Sequence, residues 1–285
     1  MVFYDVTPVT YQYAYAIMMP KMGRNGQEGF TVVESMLFLA ISALLVISLL
    51  AGVSVSINTQ RYRDSVETFK SFLQDQYGEL QHVFNGRSGE WSCTNKAVTV
   101  EDGISPEERG QSDCVVLGKY ITIKDDAIRT ATVVGYETSA EAQNDIDTLK
   151  MNYELGLSFV DTGEKQLDWG TRIAWPTAGP EAKAASASRS LAILMVRSPV
   201  SGGVYTFTSD TVKKLEDTAS SDLKAMLVTA DSVPGQAGRT ICIAANGLSV
   251  SGNTSVYIVA HAVNASGIET RSNGILQQLN GAVRC

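Results

Sequence analysis

An uncharged and mostly apolar run lies near the start of the chain. From Ser35 to Ile57, 23 consecutive residues carry no formal charge. Because an α-helix rises about 1.5 Å per residue, the run is long enough to cross a hydrocarbon layer about 30 Å thick. The pattern therefore predicts a membrane-spanning helix, and the alternative is a buried core helix of a soluble domain.

A second pattern follows the first without interruption. Apolar residues recur at spacings of three and four, which predicts one apolar stripe on an amphipathic helix: Tyr62, Val66, Phe69, Leu73, Tyr77, Leu80 and Phe84. No proline interrupts residues 31–85, and turn-forming residues follow at Asn85–Gly89. We therefore expect one helix over residues 31–85, apolar in its first half and packed against a core in its second half.

The rest of the chain alternates short apolar, β-branched runs with turn residues. The runs predict strands at residues 114–117, 120–123, 131–134, 155–160, 191–197, 203–208, 241–244 and 256–259. Residues 139–151 are typical of a short helix or a loop, and residues 211–227 of a short helix. We interpret residues 87–285 as one α+β head domain built on an antiparallel sheet.

Charge changes the range of partners that this head could have. The whole chain carries −7, residues 1–29 are neutral and Glu34 contributes −1, so the part beyond the apolar run carries −6. A mildly acidic head argues against general electrostatic attachment to nucleic acid or to anionic lipid.

All the cysteines lie beyond the apolar run, at Cys93, Cys114, Cys242 and Cys285. None belongs to a C-x-x-C pair, and only His82 and His261 could add imidazole ligands, which argues against a zinc site. An even number of cysteines beyond a membrane segment instead predicts two disulfides in an oxidising compartment. Four cysteines allow three pairings, of which sequence proximity favours Cys93–Cys114 with Cys242–Cys285.

Motifs for catalysis or metal binding are missing from the sequence. It contains neither a phosphate-binding G-x-x-x-x-G-K-[ST] loop nor a G-x-S-x-G nucleophile turn. The acidic pairs Glu107-Glu108 and Asp125-Asp126 lack the spacing of a calcium-binding loop, and solvated turns explain them better. We therefore expect no enzyme activity, no cofactor and no metal.

The residues just before the apolar run are the most specific feature. Gly29-Phe30-Thr31-Val32-Val33-Glu34 leads directly into the run. A carboxylate at the start of a membrane helix is costly without a partner, and such residues are usually retained for a function. This segment resembles the type IV prepilin signature, in which a glycine precedes the cleavage site, a phenylalanine follows it and a glutamate occupies the fifth mature position.

The resemblance implies a sequence of events at the N-terminus. A prepilin peptidase would cleave between Gly29 and Phe30 on the cytoplasmic side, and Phe30 would then be N-methylated. During assembly Glu34 would pair with the terminal amine of Phe30 in a neighbouring subunit. The resemblance also implies a pilin-like fold, in which the long N-terminal helix packs against an antiparallel sheet.

The resemblance further implies a division of the chain into four parts: a leader over residues 1–29, a membrane-spanning and filament-core helix over 30–57, an amphipathic half over 58–86 and an extracellular head over 87–285. Pilin leaders are usually short and basic, whereas Met1–Met19 is rich in tyrosine. A translation start at Met19 or Met22 would give a leader more typical of the family.

The function expected from this resemblance is that of a structural subunit, major or minor, of a type IV pilus. Such filaments serve adhesion, motility or DNA uptake, the last being the one route to nucleic acid. The implied partners are other pilin subunits, the prepilin peptidase, a membrane assembly platform and a motor ATPase. The subunit would span the cell membrane once, with its N-terminus in the cytoplasm, before it joins a surface pilus.

Several alternatives remain open at the level of sequence. A pseudopilin of a type II secretion or competence system would share every N-terminal feature. A membrane-anchored extracellular enzyme or sensor would keep an uncut signal anchor. A secretory signal peptide could instead be cleaved near Ala51–Ser54, although a carboxylate at the start of its apolar region fits that interpretation poorly.

Overall fold

The computed structural model describes residues 31–81, 91–94, 97–100, 114–139, 141, 144–184, 187–228, 238–245, 247–248, 250, 254–259, 262–279 and 283–285. For residues 91–94, 97–100, 114, 159–161 and 277–279 it describes the backbone alone. Contacts within the chain define two units, of which the first ends at Leu50 and the second runs from Ala51 to Cys285.

Helix α1 runs from Val32 to Gln81. Its part within the first unit is exposed at every residue except Ser42, which is half-buried. The most apolar stretch has a mean hydropathy of 2.7 and none of it is buried. The helix is therefore long and apolar enough to cross a membrane, as the uncharged run predicted.

The part of α1 in the second unit buries one face. Six residues of the predicted stripe have at most 2% of their surface exposed: Tyr62, Val66, Phe69, Leu73, Tyr77 and Leu80. Residues 51–57 are exposed, so burial begins after Ile57. The prediction of one apolar stripe is thus confirmed up to Gln81, and Phe84 lies outside the described residues.

Eleven strands occur in the described part of the chain: β1 Trp91–Thr94, β2 Ala97–Val100, β3 Cys114–Lys124, β4 Ala127–Glu137, β5 Tyr153–Gln166, β6 Arg172–Ala174, β7 Ser190–Arg197, β8 Val204–Ser209, β9 Arg239–Ala244, β10 Thr254–Ile258 and β11 Ile268–Ser272. Every pairing between them is antiparallel. The α+β class with antiparallel pairing is therefore as expected.

The number of sheets differs from the prediction of a single one. One sheet has five strands in the order β5-β4-β3-β7-β8, another has four in the order β11-β10-β9-β6, and β1 pairs with β2 alone. The prediction that residues 241–244 and 256–259 complete one sheet was wrong, because β9 and β10 belong to the four-stranded sheet. The α1 stripe lies in one core with residues of both larger sheets, and apolar alternation does not indicate which sheet a strand joins.

The five-stranded sheet is covered on both faces, which is clearest at β7. Its odd-numbered residues from Leu191 to Met195 lie in the core that contains the α1 stripe. Its even-numbered residues from Ala192 to Val196 lie in a second core. All six are fully buried, which explains why this strand is a continuous apolar run rather than an alternating one.

Short helical segments cover the second face of the five-stranded sheet. Helix α2 at Asp145–Asp147 continues into a wider turn at Thr148–Asn152, and helix α3 spans Ser220–Met226. These segments and their flanks contribute Leu149, Leu215, Leu223 and Leu227 to the second core. The helix predicted over residues 211–227 is thus confirmed only in part, as a single turn followed by α3.

The C-terminus is fastened to the four-stranded sheet. A disulfide joins Cys285 to Cys242 of β9. After β11 comes helix α4, Asn273–Leu279. The Asn273 side chain accepts from the Cys285 amide at 2.9 Å and donates to its carbonyl oxygen, and the Thr177 amide donates to the Arg284 carbonyl oxygen at 2.8 Å. The last residues are therefore held by covalent and hydrogen bonds.

Candidate membrane and assembly segment

Glu34 caps the start of α1 together with Thr31. The Thr31 amide donates to Glu34 Oε2 at 3.2 Å, and the Glu34 amide donates to Thr31 Oγ1 at 3.3 Å. The Thr31 hydroxyl donates to the same carboxylate at 3.2 Å. Two amides that the helix leaves unpaired thus gain acceptors from side chains, in the reciprocal arrangement called a capping box.

This contact gives the carboxylate a partner within its own chain. A negative charge in the first turn also interacts favourably with the helix dipole. The resemblance of the N-terminus implies only a neighbouring subunit as the partner of Glu34. The sequence does contain a signal for the partner within the chain: Thr31 lies three residues earlier, and Thr-x-x-Glu before an apolar run is the sequence signature of this cap.

The other residues of the predicted processing site cannot be placed. Gly29 and Phe30 lie outside the described residues, as does the whole leader. The structure therefore places Glu34 at the head of an exposed apolar helix without describing the bond that a peptidase would cut.

The apolar surface of α1 extends beyond the first unit. The exposed fractions of Val53, Val55 and Ile57 are 53%, 47% and 43%. The first charged residue after the run is Arg61, and Tyr62 is the first buried residue of the helix. The change from apolar exposed surface to a buried stripe therefore takes about one helical turn.

Tyr62 bonds α1 to the four-stranded sheet at the point where the buried stripe begins. Its hydroxyl lies 2.9 Å from the Ile243 carbonyl oxygen and 3.1 Å from that of Thr254, to either of which it can donate. The Thr254 amide donates to the same hydroxyl at 2.9 Å. Strands β9 and β10 are thus bonded to one side chain of the helix.

No family model, curated protein or solved structure matches the chain. The residues themselves therefore carry the functional inference.

Of the two predicted disulfides, one joins residues that the structure describes with their side chains. The Cys242–Cys285 bond is present, whereas the side chains of Cys93 and Cys114 lie outside the described part. His82 and His261 also lie outside it. Among the described residues, no group of three or more His, Cys, Asp or Glu side chains could hold a metal ion.

Two buried arginines were not foreseen from the sequence. Arg189 donates to the carbonyl oxygens of Ala174 at 2.9 Å and Thr240 at 2.8 Å, and its side chain is fully buried. Arg239 donates to Glu181 Oε1 at 2.6 Å and to Asp210 Oδ2. Burial, together with the charge of Arg239, lowers the pKa of Arg189 to about 10. Since each arginine has acceptors within the head, we interpret the cluster as a structural connection that joins β9 to the loop after β6.

Proposed function

We propose that the chain is a subunit of a type IV pilus, major or minor, and that its role is mechanical rather than catalytic. The observation that carries the proposal is Glu34: it follows Gly29-Phe30 by four residues and begins an exposed apolar helix. The same helix then buries an amphipathic stripe in a disulfide-bonded antiparallel head. These features together support a subunit that is inserted in a membrane before it polymerises.

Each segment has a physical task in this proposal. Cleavage after Gly29 leaves a free amine on Phe30, the residue before Thr31 in the sequence. The apolar part of α1 is solvated by lipid first and by the same segments of other subunits afterwards. The Glu34 carboxylate pairs with the Phe30 amine of a neighbouring subunit, which neutralises a charge that is costly in an apolar environment. A prepilin peptidase, a membrane platform and a motor ATPase are the partners that this route requires.

The cap makes it necessary to separate two roles of Glu34. Glu34→Gln removes the charge but keeps an oxygen that accepts from the Thr31 amide. Thr31→Val removes the hydroxyl half of the cap but keeps the charge. If the charge directs assembly, Glu34→Gln abolishes surface filaments, while Thr31→Val retains them.

The measurement is the amount of filament sheared from cells, with membrane-fraction immunoblots to show that each variant is inserted and stable. Glu34→Ala, which loses both charge and cap, serves as the reference for complete loss. Filaments from Glu34→Gln cells in parental amounts would reduce Glu34 to a helix cap and remove the basis of the proposal.

A further inference from the structure

Trp169 is a large aromatic side chain that the head leaves in solvent. It lies in the single turn Asp168–Gly170 between β5 and β6 and is 53% exposed. Its indole N–H has no acceptor among the described residues. An amphipathic ring of this kind is typical of side chains whose apolar body and polar edge meet two different environments.

The backbone of this turn adopts an unfavourable conformation at Trp169. Trp169 has φ +58° and Gly170 has φ +69°. A non-glycine residue in the left-handed region costs roughly 1–2 kcal/mol. Such strain persists only where the surroundings impose it, and it is often found at functional sites.

The turn that contains Trp169 is held both by its own hydrogen bonds and by contacts with α1. The Thr171 amide donates to the Asp168 carbonyl oxygen at 3.2 Å, and the Thr171 hydroxyl lies 2.9 Å from the same oxygen. The Thr171 hydroxyl is also 2.6 Å from the Ser65 hydroxyl, in a fully buried contact. The Arg61 guanidinium lies over the Trp169 ring, 4.8 Å from its centroid, a distance at which cation–π attraction acts. The turn is therefore fixed to the helix at two residues that are one helical turn apart.

The position of Arg61 along the helix identifies what the ring would meet. Residues 35–57 span about 34 Å at 1.5 Å per residue, which matches a hydrocarbon core of about 30 Å once the helix is tilted, as spanning helices are by about 20° on average. Arg61 lies four residues beyond Ile57 and therefore about 6 Å further along the same helix. The headgroup layer on each side of a bilayer is roughly 5–7 Å thick. Arg61 and the ring that it covers thus fall at the depth of the headgroups.

The geometry points to Trp169, supported by Arg61, as an anchor that lies in the headgroup layer of the membrane and sets the depth of the head before assembly. Tryptophan is enriched at this depth in membrane proteins. Asp168 in the same turn carries the charge opposite to that of Arg61, so these two charges together do not favour anionic lipid. The contact of this turn with the membrane therefore depends on the Trp169 ring and suits zwitterionic phospholipids. The inference rests on one part of the proposed function, the membrane span of α1, and not on cleavage or polymerisation.

The test uses the full chain in phosphatidylcholine vesicles that carry bromine near the headgroup end or near the terminal methyl of the acyl chains. Bromine quenches tryptophan that lies close to it. We expect shallow bromine to quench more strongly than deep bromine, and Trp169→Phe to lose the shallow-quenched component. Trp175→Phe is the matched control: Trp175 is only 7% exposed and donates to the Ser188 carbonyl oxygen, so its removal should leave the quenching difference intact. Added salt should not abolish the difference.

Three results would overturn the inference. The first applies to a chain that is inserted in the membrane, as shown by its resistance to carbonate extraction. If shallow bromine does not quench the Trp169 emission of that chain and soluble iodide quenches it freely, the ring lies in water. Protection of the ring only in polymerised samples would make a second copy of the chain its partner. A chain that does not insert at all would refute the membrane span, and thus the proposed function as well. The first two results leave the Glu34 experiment untouched.

Discussion

Replacing Tyr62 with phenylalanine tests how α1 is held to the head. The change removes one hydroxyl from a side chain that is 2% exposed and leaves the ring in place. The hydroxyl accepts from the Thr254 amide and lies within donating distance of two carbonyl oxygens. Burial raises the pKa of Tyr62, so the group remains a protonated donor near neutral pH.

The expected loss in the free energy of unfolding depends on which hydrogen-bonding groups the substitution leaves unpaired. A lost hydrogen bond reduces the free energy of unfolding by about 1 kcal/mol, and the part-buried Thr254 amide left without its acceptor adds about 1 kcal/mol. We therefore expect Tyr62→Phe to reduce the free energy of unfolding by about 2 kcal/mol.

Tyr77→Phe is the matched control on the same helix face. Tyr77 is 1% exposed, and its hydroxyl lies 2.6 Å from that of Thr206. The Thr206 hydroxyl donates to the Ala262 carbonyl oxygen at 2.9 Å, so Tyr77 donates to Thr206 and its loss leaves no amide unpaired. We expect a reduction of about 1 kcal/mol for this variant.

Urea unfolding of the full chain in detergent micelles, followed by tryptophan fluorescence, measures both values. If the slope of the free energy of unfolding against urea concentration is the same as in the parent, both variants expose the same surface area on unfolding. Equal losses in the two variants, or a loss below about 0.5 kcal/mol for Tyr62→Phe, would refute the assignment of Tyr62 as the helix-to-sheet connection.

Two further predictions concern the head. Hydrogen bonds from Ser201, Tyr205 and Ser198 lower the pKa of Asp145; they therefore stabilise the fold above the unfolded pKa of about 3.9, and this stability is lost as pH falls through the lower folded pKa. Asp145→Asn should lower stability by about 1 kcal/mol at neutral pH and flatten the decline below about pH 4, which urea titrations at several pH values would measure; a parallel decline would contradict this. Cys242→Ser with Cys285→Ser opens a loop with a sequence separation of 43 and should cost about 3–4 kcal/mol by the chain-entropy estimate; a midpoint of unfolding equal to that of the parent would contradict it.

The sequence was most informative where the structure depends on local periodicity. The stripe from Tyr62 to Leu80 needs only the spacing of a helix, and all six of its described members are buried. The run Cys114–Leu117 and the run Tyr120–Ile123 were predicted as separate strands, but both belong to β3. Gly118 resembles a break in sequence, yet β3 continues through it with a register shift against β4.

Features that depend on distant partners could not be predicted. Strand β11 contains Glu269 and Arg271, and its polar sequence gave no strand signal. Arg189 resembles a surface residue because its acceptors, at Ala174 and Thr240, lie 15 and 51 positions away. The turn that contains Trp169 likewise has a distant partner, because the Thr171 hydroxyl lies 2.6 Å from that of Ser65, 106 positions away.

The proposed function depends most directly on the residue at which the mature chain begins. Mass spectrometry of the membrane-fraction protein should find an N-terminal peptide that starts at Phe30, carries an N-methyl group and retains the Thr31–Glu34 segment. Peptides that span Gly29 and Phe30 in the surface-exposed, assembled protein, or a mature terminus after residue 50, would contradict the proposal of a processed filament subunit.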